Sequence, residues 1–356
     1  MKSILFSILP FLFFISSMGS ESKSITANFQ DLNKPYNVKI EIQNNQVLFA
    51  KPNAIMEFDL GNITESIIAL EANKPYSYVK KDQVINITLP AENKMVEINF
   101  QLKNNTIIKC TILTAIIDKD TSDGEVKFNE IAYPIGKYPS IPNKGKTNYF
   151  KEKYELPQYF FIWNSLLEDF PISKSLKYAD LVIKPDAEKP DQPRPERATK
   201  IFTLSYETIL NFDRIIEKAR LKTPFKKITV LSYYRTPEYN NKIGAAAFSR
   251  HIYGDGIDWF IDENKEDGVM DDLNKDGLVS EEDGLSFVLA IIEMVNNHEI
   301  EPCGTGVYFT KKGASLHYDS RGHLARWGAS EQWWPDKSLP GWLLDIENKV
   351  KEADKK

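Results

Sequence analysis

The hydrophobic period of this chain changes part-way along, and that change limits the architectures open to it. Asn37-Val38-Lys39-Ile40-Glu41-Ile42, Val84-Ile85-Asn86-Ile87-Thr88-Leu89 and Val96-Glu97-Ile98-Asn99-Phe100-Gln101-Leu102 alternate in polarity, as strands with one buried face do. Asn44-Asn45, Pro52-Asn53, Gly61-Asn62 and Asn104-Asn105 supply turns between such runs. Further on, Ile209, Phe212, Ile216 and Ala219 recur at helical spacing with Ser205 as N-cap, and Lys227–Tyr233 reads as a buried strand. The pattern predicts an all-β, immunoglobulin-like sandwich over residues 24–118, a proline-rich linker over 119–155 and an α+β domain over 156–345. With 356 residues there is material for a core in each domain.

The N-terminus reads as an address. Met1-Lys2 precedes an apolar run from Ile4 to Ile15, broken by Pro10, and then Ser16-Ser17-Met18-Gly19-Ser20. This is the layout of a secretory signal peptide, residues 1–20, and the run is shorter than the roughly 20 apolar residues of a membrane span. The expectation is an exported protein, periplasmic or secreted, with no stable membrane insertion after signal removal. A net charge of -5 gives no basic field for nucleic acid. Two cysteines, Cys110 and Cys303, are too few for a disulfide framework or a thiolate zinc site, and whether they pair is left open. The sandwich region holds no histidine and reads as a spacer or docking module. Lys184–Pro195 is too proline-rich for helix or strand and reads as an exposed loop.

Only four histidines occur, at 251, 298, 317 and 323. In Ser249-Arg250-His251-Ile252-Tyr253-Gly254-Asp255-Gly256-Ile257-Asp258 the glycines permit a tight turn that can bring His251 and Asp258 together. His317, in Leu316-His317-Tyr318-Asp319, is a third candidate. Two histidines and one carboxylate, with a position left for water, form the ligand set of a catalytic zinc site.

These residues carry a resemblance. Ser249-x-His251-x-x-Gly254-x-x-x-Asp258 resembles the SxHxxGxAxD motif of the zinc D-alanyl-D-alanine carboxypeptidase family, which shares a fold with the hedgehog signalling domain; Gly256 replaces the usual alanine. Ser232-Tyr233-Tyr234-Arg235-Thr236-Pro237-Glu238-Tyr239-Asn240 resembles its SGYRTPxYN. Gly306-Val307-Tyr308-Phe309, Leu316–Gly322 and Ala325-Arg326-Trp327 resemble its GxGxY, VHVDVRG and ARW segments. The resemblance implies zinc on His251, Asp258 and His317, with Arg235 receiving a substrate carboxylate and Ser249 on the substrate side. It departs at Ala314, where several relatives place an acidic general base three residues before the last histidine. Asp319 and Asp255 are the candidate substitutes, and Asp319 could also merely support His317 from the same strand face. His298 reads as exposed, and His323 as at most a neighbour of the ligands.

A second metal is expected in Asp272–Asp283. Asp272, Asn274, Asp276, Ser280 and Asp283 fall at positions 1, 3, 5, 9 and 12 of an EF-hand-like calcium loop, with Gly277 at position 6. Asp262–Gly268 resembles a degenerate partner loop. Ser280 and Asp283 also suit the start of a helix in which Leu285, Val288, Leu289 and Ile292 share a face. The reading is an exported zinc metallopeptidase that hydrolyses peptidoglycan stem peptides, most simply a DD-carboxypeptidase, with an endopeptidase as the near alternative. A non-catalytic zinc- and calcium-stabilised wall-binding protein and a calcium-dependent adhesin are the other classes.

Overall fold

The computed structural model describes residues 24–34, 36–61, 67–72, 77–102, 105–140, 154–183, 200–310 and 313–334. The expected signal peptide, the Lys184–Pro195 loop and the last residues of the expected α+β domain (335–345) lie outside them. Among the described residues no helix is long and apolar enough to cross a membrane.

The alternating runs become strands. β1 (Thr26–Gln30), β2 (Asn37–Glu41), β3 (Gln46–Ala50), β4 (Ile55–Asp59), β5 (Ile67–Ala72), β6 (Ser77–Lys81), β7 (Val84–Thr88), β8 (Met95–Leu102) and β9 (Ile107–Thr114) follow in order. They form a five-stranded sheet, β2-β1-β4-β7-β6, and a four-stranded sheet, β3-β9-β8-β5. All pairs are antiparallel except β3 with β9. On β2, Val38 and Ile40 are buried while Asn37, Lys39 and Glu41 face solvent, as a period of two requires. Phe58 and Phe100, 5.5 Å apart between ring centroids, link the two sheets.

One strand breaks the alternation for a reason outside itself. All five residues of β3 are buried, because the C-terminal half covers its outer face. Phe49 lies 4.9 Å from Phe161 and 5.9 Å from Phe202, ring to ring. Its backbone N–H donates to Tyr206 Oη at 2.6 Å, Val47 N–H donates to the Pro171 carbonyl at 2.8 Å, and Gln46 Nε2 donates to the Ile172 carbonyl at 3.0 Å. The two halves share one continuous hydrophobic core.

Residues 119–155, expected as linker, contain a hairpin of β11 (Glu125–Phe128) and β12 (Ile131–Pro134). It follows β10 (Ile116–Ile117), which pairs with β13 (Tyr159–Ile162), itself paired with β14 (Ile201–Phe202). Val126, Ile135, Phe160 and Ile201 pack beside Ile116 as a small core of their own.

The C-terminal half is built on a second five-stranded sheet. In chain order come α1 (Tyr206–Lys222), β15 (Thr229–Ser232), α2 (Pro237–Lys242), β16 (Gly256–Phe260), α3 (Leu285–Asn296), β17 (Gly304–Thr310), β18 (Gly313–Asp319), β19 (Ala325–Gly328) and α4 (Ser330–Trp333). Ser205 caps α1 by accepting from Thr208 N–H, and Ile209, Phe212, Ile216 and Ala219 are buried as their spacing predicts. The sheet order is β15-β16-β18-β17-β19. Its apolar face carries Ile257, Trp259, Val307, Leu316 and Tyr318, all buried. Helices α1 and α3 cover that face, with Phe212 and Phe287 against Trp259 at 4.9 and 6.0 Å. The alternate residues Asp258, His317 and Asp319 therefore point to the other face.

A candidate metal centre on the polar face of the sheet

The histidine motif folds as a turn and a strand. A 3₁₀ turn, Arg250–Tyr253, carries His251 and ends at Gly254 with φ +72. A Cβ at Gly254 would come within 2.7 Å of the Thr203 carbonyl, so only glycine fits. The chain then enters β16, where Asp258 is paired in register with His317 of β18. Histidine and aspartate thus meet through a 3₁₀ turn followed by one strand.

The ligand atoms of His251, Asp258 and His317 all lie within 4.8 Å of one another. Asp258 stands between the imidazoles, with Oδ2 3.1 Å from His251 Nε2 and Oδ1 2.7 Å from His317 Nδ1. Each ring is held by its other nitrogen. His251 Nδ1 lies 2.6 Å from the Tyr233 carbonyl, which can only accept, so that nitrogen carries the proton and Nε2 faces the centre. His317 Nε2 lies 2.8 Å from Asp319 Oδ2, which places Nδ1 toward the centre. Two inward imidazole nitrogens and one carboxylate, each steadied from behind, match the donor set of a three-ligand zinc site.

The surroundings are charged in pairs. Arg321 forks the carboxylate of Asp319, Nε to Oδ1 at 2.7 Å and a terminal nitrogen to Oδ2 at 2.6 Å. Arg235 donates Nε–H to Ser232 Oγ at 2.8 Å and a terminal N–H to Asp258. Burial opposes ionisation of Asp258, but the two imidazoles outweigh it and hold its carboxyl well below the usual range. Asp319 is likewise buried, and Arg321 foremost keeps it well below the usual range. Burial lowers His251 below an ordinary imidazole despite the attraction of Asp258. Burial pulls His317 the same way, yet its bonds to Asp258 and Asp319 prevail and raise it.

Residues 199–276 match the family model described as Peptidase M15. The match supports a zinc metallopeptidase of the M15 family, and it spans Arg235, His251 and Asp258 but ends before His317. No curated protein and no solved structure matches the chain. His317 joins this group through strand register: Asp258 and His317 are Cα partners across β16 and β18, although 59 residues separate them.

The expected base candidates take other places. Asp255 is forked by buried Arg250, whose Nε donates at 2.9 Å and whose terminal nitrogen also contacts it. Asp319 has 0% exposure and its oxygens serve Arg321 and His317, which suits holding an imidazole better than taking a proton from water. Ala314 lies on β18 with Leu316 and Tyr318, on the helix-covered face. With this regular register, a carboxylate at 314 would point away from Asp258 and His317, so alanine there removes nothing from their side. Ser249 is half-buried just ahead of the His251 turn and makes no side-chain cap bond to it. His298 is exposed, at φ 56 beyond the end of α3. His323 is buried, and burial lowers its pKa to about 4. Cys110 and Cys303 are both buried and free.

Between β16 and α3 the acidic segment forms two similar loops. In the first, Asp262 accepts from Asp267 and Gly268 N–H while Asp271 accepts from Glu263 and Asn264 N–H. In the second, Asp272 accepts from Asp276 and Gly277 N–H while Asp283 accepts from Leu273 and Asn274 N–H. Gly268 and Gly277 both adopt positive φ, +78 and +88. Ser280 and Asp283 also form a capping box on the turn leading into α3.

Arg321, which forks Asp319 here, belongs to no metal pattern in the sequence. Its position after His-x-Asp, in Leu316–Gly322, was the available signal.

Proposed function

We propose that this protein is an exported zinc metallopeptidase acting on peptidoglycan stem peptides, with D-alanyl-D-alanine carboxypeptidase activity. The observation that carries this reading is the convergence of His251 Nε2, Asp258 and His317 Nδ1 on one point, with Arg235 beside it. Zinc, when bound by these three side chains, would polarise a carbonyl and lower the pKa of its water toward about 7. Arg235 is anchored through Nε on Ser232 and turns its terminal N–H groups toward the centre. A guanidinium so placed can take a substrate carboxylate and set the neighbouring peptide bond next to the ligands. Ser249, at the entrance of the His251 turn, would contact the same substrate.

The acidic loop is part of the proposal. Asp272, Asn274, Asp276, Ser280 and Asp283 would hold calcium and brace the insertion between β16 and α3, which fits the side-chain bonds that already draw these residues inward. The nine N-terminal strands are read as an immunoglobulin-like module that docks the peptidase to the wall. Calcium chelation should then lower the melting temperature without removing zinc.

The deciding test is a digest of purified peptidoglycan by the zinc-loaded protein beside His251→Ala, with products identified by mass spectrometry. Release of D-alanine by the wild type alone supports the carboxypeptidase. Larger fragments would assign an endopeptidase instead. A second reading, a wall-binding protein without turnover, is favoured by the arginine forks on both Asp255 and Asp319. Zinc binding with no release of any product would select it.

A further inference from the structure

We propose that Arg321 is a positioning residue of the metal centre, holding both the hydrogen-bonding partner and the packing partner of His317. This rests on the reading of His251, Asp258 and His317 as a metal site. Arg321 sits in the turn between β18 and β19, with its side chain largely covered. Its guanidinium grips Asp319 through two parallel bonds of 2.7 and 2.6 Å, and its backbone N–H adds a third at 3.3 Å. The same guanidinium lies over the Trp327 ring at 5.4 Å. Trp327 in turn lies against His317, with ring centroids 5.0 Å apart. One side chain therefore restrains the imidazole from two directions.

The chemistry of the imidazole explains why that restraint matters. A neutral histidine has one N–H and one lone pair, and the partner of one nitrogen decides which is which. Asp319 accepts at Nε2, so Nδ1, 2.7 Å from Asp258 Oδ1, is the nitrogen that would give its lone pair to a metal. An Asp319 released from Arg321 could rotate off Nε2, and the ring would lose both its orientation and its preferred tautomer. Neighbouring strand β17 is shaped for this arrangement. A Cβ at Gly304 would collide with the Asp319 carboxylate, and one at Gly306 with the Trp327 indole. A lysine at 321 would keep the charge but lose the planar fork and the stacking.

The test uses the full-length protein and reads zinc affinity by chelator competition, together with the visible spectrum of the cobalt-substituted form. Arg321→Met is expected to weaken zinc roughly 10- to 100-fold, as loss of an outer partner does, and to alter the cobalt spectrum. Arg321→Lys should recover only part of that loss, and affinities are read on the folded fraction, because Arg321→Met leaves the buried Asp319 carboxylate without its cation and lowers the metal-free melting temperature. If Arg321→Met does not fold, Asp319→Asn serves in its place. An amide cannot accept from Arg321 at both of its atoms, so it too should lose zinc at least tenfold or so. Wild-type affinity and an unchanged spectrum in a folded variant would overturn the proposal alone. A wild type that binds no zinc would overturn the metal-site reading, and the proposal with it.

Discussion

Strands β2 and β18 follow the same two-residue alternation and reach different ends. In β2 the apolar residues Val38 and Ile40 go inward, and Asn37, Lys39 and Glu41 remain in water. In β18 Leu316 and Tyr318 go inward, but His317 and Asp319 are also buried, at 4% and 0% exposure. A buried polar row is costly unless each member is partnered. On β18 the partners are specific: Asp258 and Asp319 for His317, and Arg321 for Asp319. The comparison separates a sheet face that water completes from one that ligands and ion pairs must complete. The second kind marks the site.

Substitution can break this contrast. Phe58→Ala in the N-terminal sheets removes a fully buried ring and should cost about 3–5 kcal/mol of stability. Zinc affinity, measured on the folded fraction by chelator competition, should stay at the wild-type value. His317→Ala should do the reverse, reducing zinc affinity by more than the roughly 100-fold associated with an outer partner. Its metal-free denaturation midpoint should move far less than that of Phe58→Ala. If both substitutions affected zinc equally, the two faces would not be functionally distinct.

A finer probe is Gly304→Ala, which forces the Asp319 carboxylate aside. Loss of zinc affinity by about tenfold is expected, read in the same competition assay. Cutting an exposed side chain of β2 back to its Cβ, as in Asn37→Ala, should leave zinc untouched.

The smallest expected effect concerns the seam between the halves. Asp31 is fully buried, with Oδ1 bonded to the N–H groups of Asn33 and Lys34 and Oδ2 without a partner among the described residues. Burial raises its pKa above the ordinary carboxylate value, and burial raises that of Glu207 across the seam in the same direction. For a raised acid the folded state keeps its proton longer than the unfolded state does. Stability from these two groups should therefore fall as pH rises from the ordinary carboxylate range through the raised folded values, with the full penalty present above them. Asp31→Asn should gain stability at neutral pH and gain less near pH 4. Urea midpoints at the two pH values check the sign, and an equal or larger gain in acid would refute it.

Much of the fold was readable because its signals are local. Period-two runs and asparagine turns marked the N-terminal strands, and Ser205 with its apolar spacing marked α1. The docking of β3 on the C-terminal half was not readable. Gln46–Ala50 carries no sign of the aromatic residues that reach it from Phe161, Phe202 and Tyr206. The hairpin at 125–134 is hidden from a sequence reading by Pro134 and Pro139, which dominate its surroundings.

The sequence by itself determined the candidate donors and the turn that lets them meet: two histidines, one aspartate, and a glycine at 254 where no other residue fits. Only the tertiary structure decided which nitrogen of each histidine faces the centre, that Asp319 answers to Arg321, and that position 314 points to the helices. The reason is physical. Residue type is written along the chain, whereas the face a strand residue occupies and the partner it meets are set by register with strands far away in sequence.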